Sequence, residues 1–353
     1  KINFSVYCKC VVLSNLYHVN QIIQTKLGIY SNLRQSIVFC ITFMVQFNKK
    51  SMKKISLLTI SCILLFMANA QDKFAKLQKE TVSLIANTTY GKNDTVGKYY
   101  NIRGFKMYCE VYGKGQPLLI IHGNGGSINN FVKQIPYFST KYQVIIADNR
   151  SQGKSIDKGD SLTYSEDRKD SLTYEMMADD YAALLTELKV DSALVIGWSD
   201  GGINGLLLAI RHPEKVKKLA ITGANLRPDT TAVYPEVLNM VAPSFKMLKA
   251  KKDLNEEQKV ELKLTKLLLE QPNIPVTDVQ KIKVPTLVIA GDHDVIKVEH
   301  SVEIFKQLPQ GYLWILANSG HSTPIVYAEE FNKVVNDFFS TPYRKIKHAA
   351  RFF

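Results

Sequence analysis

From about residue 98 onward, short apolar runs alternate with longer stretches of mixed character. Pro117–Ile121, Tyr142–Ala147, Ala193–Ile196 and Lys218–Ile221 are nearly continuous in apolar residues, and several of the segments between them have helical spacing. Strands that are apolar on both faces and alternate with helices predict a parallel sheet covered on both sides. Two further β-rich runs, Lys98–Arg103 and Lys106–Tyr112, meet at Gly104 and predict a hairpin. After Ala224 the pattern changes. Residues 225–281 are rich in Lys, Leu and Glu, are bracketed by Pro228 and Pro275, and predict helices; strands resume at Pro285–Ala290 and Tyr312–Leu316. This makes eight strands in an α/β core, residues 98–224 and 282–341, with a helical cap over 225–281. Residues 71–97 form a polar lead-in with one short helix expected over Phe74–Ile85, and 342–353 a basic tail. The pentapeptide DSLTY at Asp160–Tyr164 recurs at Asp170–Tyr174 and predicts a lengthened surface loop.

The head of the chain has a different character. Met52 begins a stretch with a basic start at Lys53 and Lys54, an apolar run from Ile55 to Met67, and the small-x-small end Ala68-Asn69-Ala70. That is the pattern of a cleavable secretory signal over 52–70, and the run is short of the roughly 20 residues a membrane span needs. The expected location is periplasmic or extracellular, with no stable membrane insertion after cleavage. Residues 1–51 are expected to be a non-native upstream extension, with Met52 as the start.

Charge and cysteine content add little about partners. The net charge is +13, but residues 1–70 hold eight Lys or Arg and no Asp or Glu, which leaves +5 on the rest. A nucleic-acid partner is therefore not expected. Of the five cysteines only Cys109 lies beyond residue 70, so no internal disulfide is expected in the mature chain, and no spacing predicts a metal site.

Gly197-Trp198-Ser199-Asp200-Gly201 fits G-x-S-x-G, with the strand Leu194–Ile196 running in and a helical stretch from Gly202 running out. Strand, turn and helix in this order form a nucleophile elbow that exposes the serine in a strained turn. Such a serine needs an acid and then a histidine later in the chain. Of His212, His293, His300, His321 and His348, the one following a strand in a short loop is His321, in Asn318-Ser319-Gly320-His321. Leu287–Gly291 leads into Asp292-His293-Asp294, where either carboxylate fits the acid. Backbone donors for a developing oxyanion are expected at Asp200 and at Asn124, in His122-Gly123-Asn124-Gly125-Gly126; His122 is expected to hold that loop.

HGNGG, DNRSQGKS (148–155), YEMMADD (174–180), GWSDGG, the GAN at 223–225, GDHD and GH together resemble the α/β-hydrolase fold family, close to valacyclovir hydrolase-like (biphenyl hydrolase-like) serine hydrolases and their bacterial relatives. The likeness spans about 98–340. It implies the triad Ser199, Asp294 and His321, with the acid three residues after the glycine favouring Asp294 over Asp292. It implies ester hydrolysis of a small molecule through an acyl-enzyme, with no cofactor. It also implies that Asp200 could receive a substrate amino group; complementing a helix N-terminus is the other role open to it. One departure is Ser151, where the family has glycine, expected to alter a loop turn and leave the chemistry alone. Alternatives on the same residues are a C–C bond hydrolase and a ligand-binding relative that turns over slowly. The substrate, the bond preference and the oligomeric state stay open.

Overall fold

In the computed structural model, residues 80–155 and 172–344 are described. The proposed extension and signal, most of the DSLTY repeat and the last nine residues lie outside them. The chain divides into two units, Lys1–Ala86 and Asn87–Phe353. Of the first, the described residues are helical, in a segment that runs over 80–87.

Eight strands form one sheet: β1 (Gly97–Ile102), β2 (Phe105–Tyr112), β3 (Gln116–Ile121), β4 (Tyr142–Ala147), β5 (Ala193–Trp198), β6 (Val216–Thr222), β7 (Thr286–Gly291) and β8 (Gly311–Leu316), in the order β1-β2-β4-β3-β5-β6-β7-β8. β2 pairs antiparallel with both neighbours, and every other pairing is parallel. The hairpin turns at Arg103 and Gly104, both at positive φ.

The apolar runs become strands because both of their faces find helices. Leu119, Ile121, Val195 and Ile221 join one buried cluster with residues of α1 (Tyr174–Glu187) and α2 (Asp200–Arg211). Their chain neighbours Leu118, Ile120, Ile196 and Ala220 join the opposite cluster, with Phe331, Val335 and Phe338 of the C-terminal helix Ala328–Ser340. With a period of two and both sides covered, these inner positions carry apolar side chains on each face in turn.

Between β6 and β7 lie α3 (Pro235–Ala250), α4 (Glu256–Glu270) and a one-turn helix Val276–Val279. α4 begins with a reciprocal cap between Asn255 and Gln258. The first ten residues of the expected helical insert, 225–234, are turns and extended chain rather than helix. Then α5 (Val298–Gln307) follows β7, and α6 (Ala328–Ser340) closes the chain. β3 has β4 on one side and β5 on the other, so chain direction across the sheet reverses there. Crevices at the carboxyl ends of strands beside such a reversal are where open α/β sheets bind ligands.

Ser151 holds a left-handed backbone, φ 64°, in the loop after β4 and is buried. Holding a residue with a Cβ in this conformation costs about 1–2 kcal/mol. Its hydroxyl is buried with no partner among the described residues, which adds a desolvation cost. Ser151→Gly is therefore expected to stabilise the protein by about 1 kcal/mol after the extra freedom of the unfolded chain is counted. Differential scanning calorimetry would record Tm higher by roughly 2–4 °C; a lower Tm would contradict this account of the loop.

Candidate active site

The loops that follow β3, β5, β6, β7 and β8 open at the same edge of the sheet, and each contributes to one site. β5 ends in Trp198, and Ser199 then sits at φ 57°, ψ −121°, before α2 begins at Asp200. The backbone is held on both sides: Ser199 N–H donates to the Thr222 carbonyl (2.8 Å), and the Ser199 carbonyl accepts from Gly202 and Ile203. So tight a turn requires that Gly201 lack a side chain, since a Cβ there would run into the Ile121 carbonyl.

His321, in the loop after β8, faces this serine. The Ser199 Oγ and His321 Nε2 are 2.9 Å apart, and His321 Nδ1 lies 2.7 Å from Asp294 Oδ1. A carboxylate opposite Nδ1 accepts a hydrogen bond from the Nδ1–H and leaves Nε2 free to accept from the serine hydroxyl. Asp294 is buried, and the same Oδ1 accepts the Ile296 N–H (3.1 Å). The structure thus brings Asp294, and not Asp292, against His321. Asp292 is more exposed and instead accepts the Ser319 N–H (3.1 Å), shaping the loop that leads to the histidine.

Three residues with no role assigned by the sequence reading hold this arrangement. The Trp198 indole N–H donates to the His321 carbonyl at 2.8 Å. Ile296, through its N–H, helps orient Asp294. Gly223, at φ 64°, lies against the imidazole, where a Cβ would come 2.6 Å from His321 Cε1 and 2.8 Å from Nδ1. Gly223→Ala must push His321 aside, and displacements of about 1 Å cost roughly 100-fold in rate. The expected result is a loss of that order in kcat/KM on an ester with the circular dichroism of the folded protein retained; wild-type rates would show that the imidazole does not need this space.

On the other side of Ser199, the loop after β3 packs close: a Cβ on Gly123 would sit 3.0 Å from the Ser199 Cβ. His122 anchors this loop. Its Nε2 accepts the Asn149 N–H (2.9 Å), so Nδ1 carries the proton and donates to the Gly123 carbonyl (2.8 Å). Complete burial pushes its pKa down to about 4, which keeps it neutral. Asn124 follows, and its side-chain amide donates to Asp200 Oδ2 at 2.9 Å.

Asp200 is the electrostatic outlier of the site. It is 1% exposed, and burial lifts its carboxyl pKa to about 6 against the opposing pull of Asn124, Tyr174 and the His321 charge. His321 feels the reverse balance. Burial pushes its imidazole pKa down, but the Asp294 charge and hydrogen bond and the Asp200 charge outweigh it, and the net shift is upward.

Residues 116–269 match the model of the family described as alpha/beta hydrolase fold. A putative esterase/lipase of Haemophilus influenzae is 27% identical over 232 residues, 58% of this chain and 76% of that protein. The mouse (Mus musculus) serine hydrolase BPHL is 25% identical over 264 residues, 71% of this chain and 88% of its own. Among solved structures, a meta-cleavage product hydrolase from Pseudomonas fluorescens superposes with a TM-score of 0.54 at 20% identity, covering 70% of this chain and 98% of that one.

Proposed function

We propose that this hydrolase, which has the alpha/beta hydrolase fold, is a serine hydrolase cleaving carboxylic esters of small molecules. The observation that carries the reading is the run of contacts from Ser199 Oγ to His321 Nε2 (2.9 Å) and from His321 Nδ1 to Asp294 Oδ1 (2.7 Å). In the first half-reaction Ser199 Oγ attacks the ester carbonyl carbon and His321 takes its proton. The imidazolium gives that proton to the departing alkoxide as the C–O bond breaks, leaving an acyl-serine. Water, deprotonated by the same imidazole, then releases the acid. The backbone N–H groups of Asp200 and Asn124 are assigned to the oxyanion, consistent with a helix start at Asp200 and the close approach of Gly123 to Ser199. The test is covalent labelling by a fluorophosphonate probe with peptide mapping. Folded protein that stays unlabelled at Ser199 would end this reading, and a panel of esters against vinylogous diketones separates ester from C–C bond cleavage.

Within that reading, esters bearing a free amine are the favoured substrates, because Asp200 is a buried carboxylate beside the reacting serine. A free-amine ester should be hydrolysed faster than its N-acylated analogue, with the preference gone in Asp200→Asn; equal rates in the wild type would remove the idea. The same variant has a pH consequence. His321 acts as a base only when neutral, and its pKa lies above its ordinary 6.5, so kcat/KM should fall as pH drops through a value above 6.5. Removing the Asp200 charge withdraws one upward push, so in Asp200→Asn this acidic limb should move to lower pH. A limb that stayed in place would show that Asp200 does not act on the imidazole. Export through a signal at 52–70 is part of the proposal; the amino terminus of the mature native protein would test it by falling at or away from Gln71.

A further inference from the structure

The two roots of the helical insert meet at one buried residue. Leu226, just after β6, donates its N–H to His300 Nε2 at 2.9 Å and accepts the Ile274 N–H on its carbonyl at 2.9 Å. Ile274 precedes the one-turn helix through which the chain returns to β7. The next residues of the first root run against the loop that carries Asp294. Val233 and Ile296 form an antiparallel bridge, Lys297 N–H donates to Ala232 (2.8 Å), and Tyr234 N–H donates to Val295 (3.2 Å). Ile296 is the residue whose N–H also reaches Asp294 Oδ1. Orientation of that carboxylate is therefore tied to the seating of the insert's root.

His300, in α5, is 1% exposed. Because Leu226 donates to Nε2, the proton is on Nδ1, which donates to Glu303 Oε2 at 2.9 Å. Glu303 is gripped in turn by Arg227, the neighbour of Leu226, through two bonds of 3.0 and 2.7 Å. Burial and the Arg227 charge hold the imidazole pKa below its ordinary value, so the ring stays neutral and Nε2 stays an acceptor. A merely packed histidine would need neither the fixed tautomer nor the paired grip of Arg227 on its partner.

We infer that His300 is a positioning residue: through Leu226 it clamps both roots of the insert beside the loop that holds Asp294, with Glu303 and Arg227 fixing its tautomer. The inference rests on the reading of Asp294, His321 and Ser199 as a catalytic unit. It implies that loosening the clamp slows chemistry at Ser199 from a distance, without touching substrate.

Two substitutions divide the bonds of His300. In His300→Asn the amide stands near the Nδ1 position and keeps Glu303 but leaves Leu226 without its acceptor. In His300→Gln the carbonyl oxygen reaches the Nε2 position and retains Leu226. The experiment measures fluorophosphonate labelling rate at Ser199 in the whole protein, with Tm and amide hydrogen exchange over 226–234 and 294–297. His300→Asn should label about 10–100-fold more slowly and exchange faster in both segments, while His300→Gln stays within about threefold of wild type. Equal labelling in all three proteins overturns the proposal, as does an equal fall in both variants that tracks Tm. If His300→Asn fails to fold, Glu303→Ala frees the tautomer instead; it should slow labelling severalfold, and a wild-type rate there would also overturn the proposal. A wild type that does not label removes the serine-hydrolase reading and this inference with it, whereas a labelled wild type with indifferent variants removes the inference alone.

Discussion

Ser199→Ala is expected to lower kcat for a p-nitrophenyl ester by roughly a million-fold, leaving about a thousandfold advantage over water from the oxyanion donors and substrate binding. The fold should survive. The elbow is held by main-chain bonds to Thr222, Gly202 and Ile203, and alanine meets no more strain at φ 57° than serine already bears. What disappears is the hydroxyl that faces His321 Nε2. Stopped-flow with the same ester would add a second readout, since wild-type protein should show a burst of p-nitrophenol equal to its concentration if deacylation is slow, and the variant none. Activity that survived the substitution undiminished would transfer the chemistry elsewhere and end the serine-hydrolase reading.

The parts of this site that could be read in the sequence are those written in local pattern. The inner strands were visible because a strand buried on both faces leaves a nearly unbroken apolar run, and the edge hairpin because two β-rich runs meet at Gly104; the observed strands begin and end within two residues of the expected ones. The elbow was visible because strand, glycines and helix are adjacent in the chain. His321 followed from chain order and its position after a strand. The rest depends on contacts between segments far apart in sequence. Gly223 reads as an ordinary turn glycine until His321, nearly a hundred residues later, is found against its Cα. Trp198 reads as filler in G-x-S-x-G until its indole meets the His321 carbonyl. His300 was one of five histidines after the serine, without a motif of its own, and its bonds to Leu226 and Glu303 depend on how the insert's root packs against α5. The turns over 225–234 were hidden by the helix-forming composition of the residues that follow.

The two aspartates after β7 mark the limit of sequence reasoning, and they also provide the sharpest test. Both stand in one turn, two residues apart, and either carboxylate is chemically fit to hold an imidazole. The backbone decides: Asp292 turns towards the Ser319 N–H, and Asp294 towards His321. Asp294→Asn should reduce kcat/KM about 10⁴-fold, because neither orientation of the amide works. With its oxygen towards His321, the NH₂ takes the buried position where Asp294 Oδ2 now has no partner among the described residues, an uncompensated donor costing about 1–3 kcal/mol. Reversed, the NH₂ confronts both Ile296 N–H and His321 Nδ1, and the imidazole must carry its proton on Nε2, where it can no longer accept one from Ser199. Either way the imidazolium formed during the reaction loses its counter-charge. Asp292→Asn should leave kcat/KM within about threefold, since its carbonyl oxygen can still accept from Ser319. A loss in Asp292→Asn as deep as that in Asp294→Asn would mean that the loop's shape, and not the carboxylate facing His321, sets the rate.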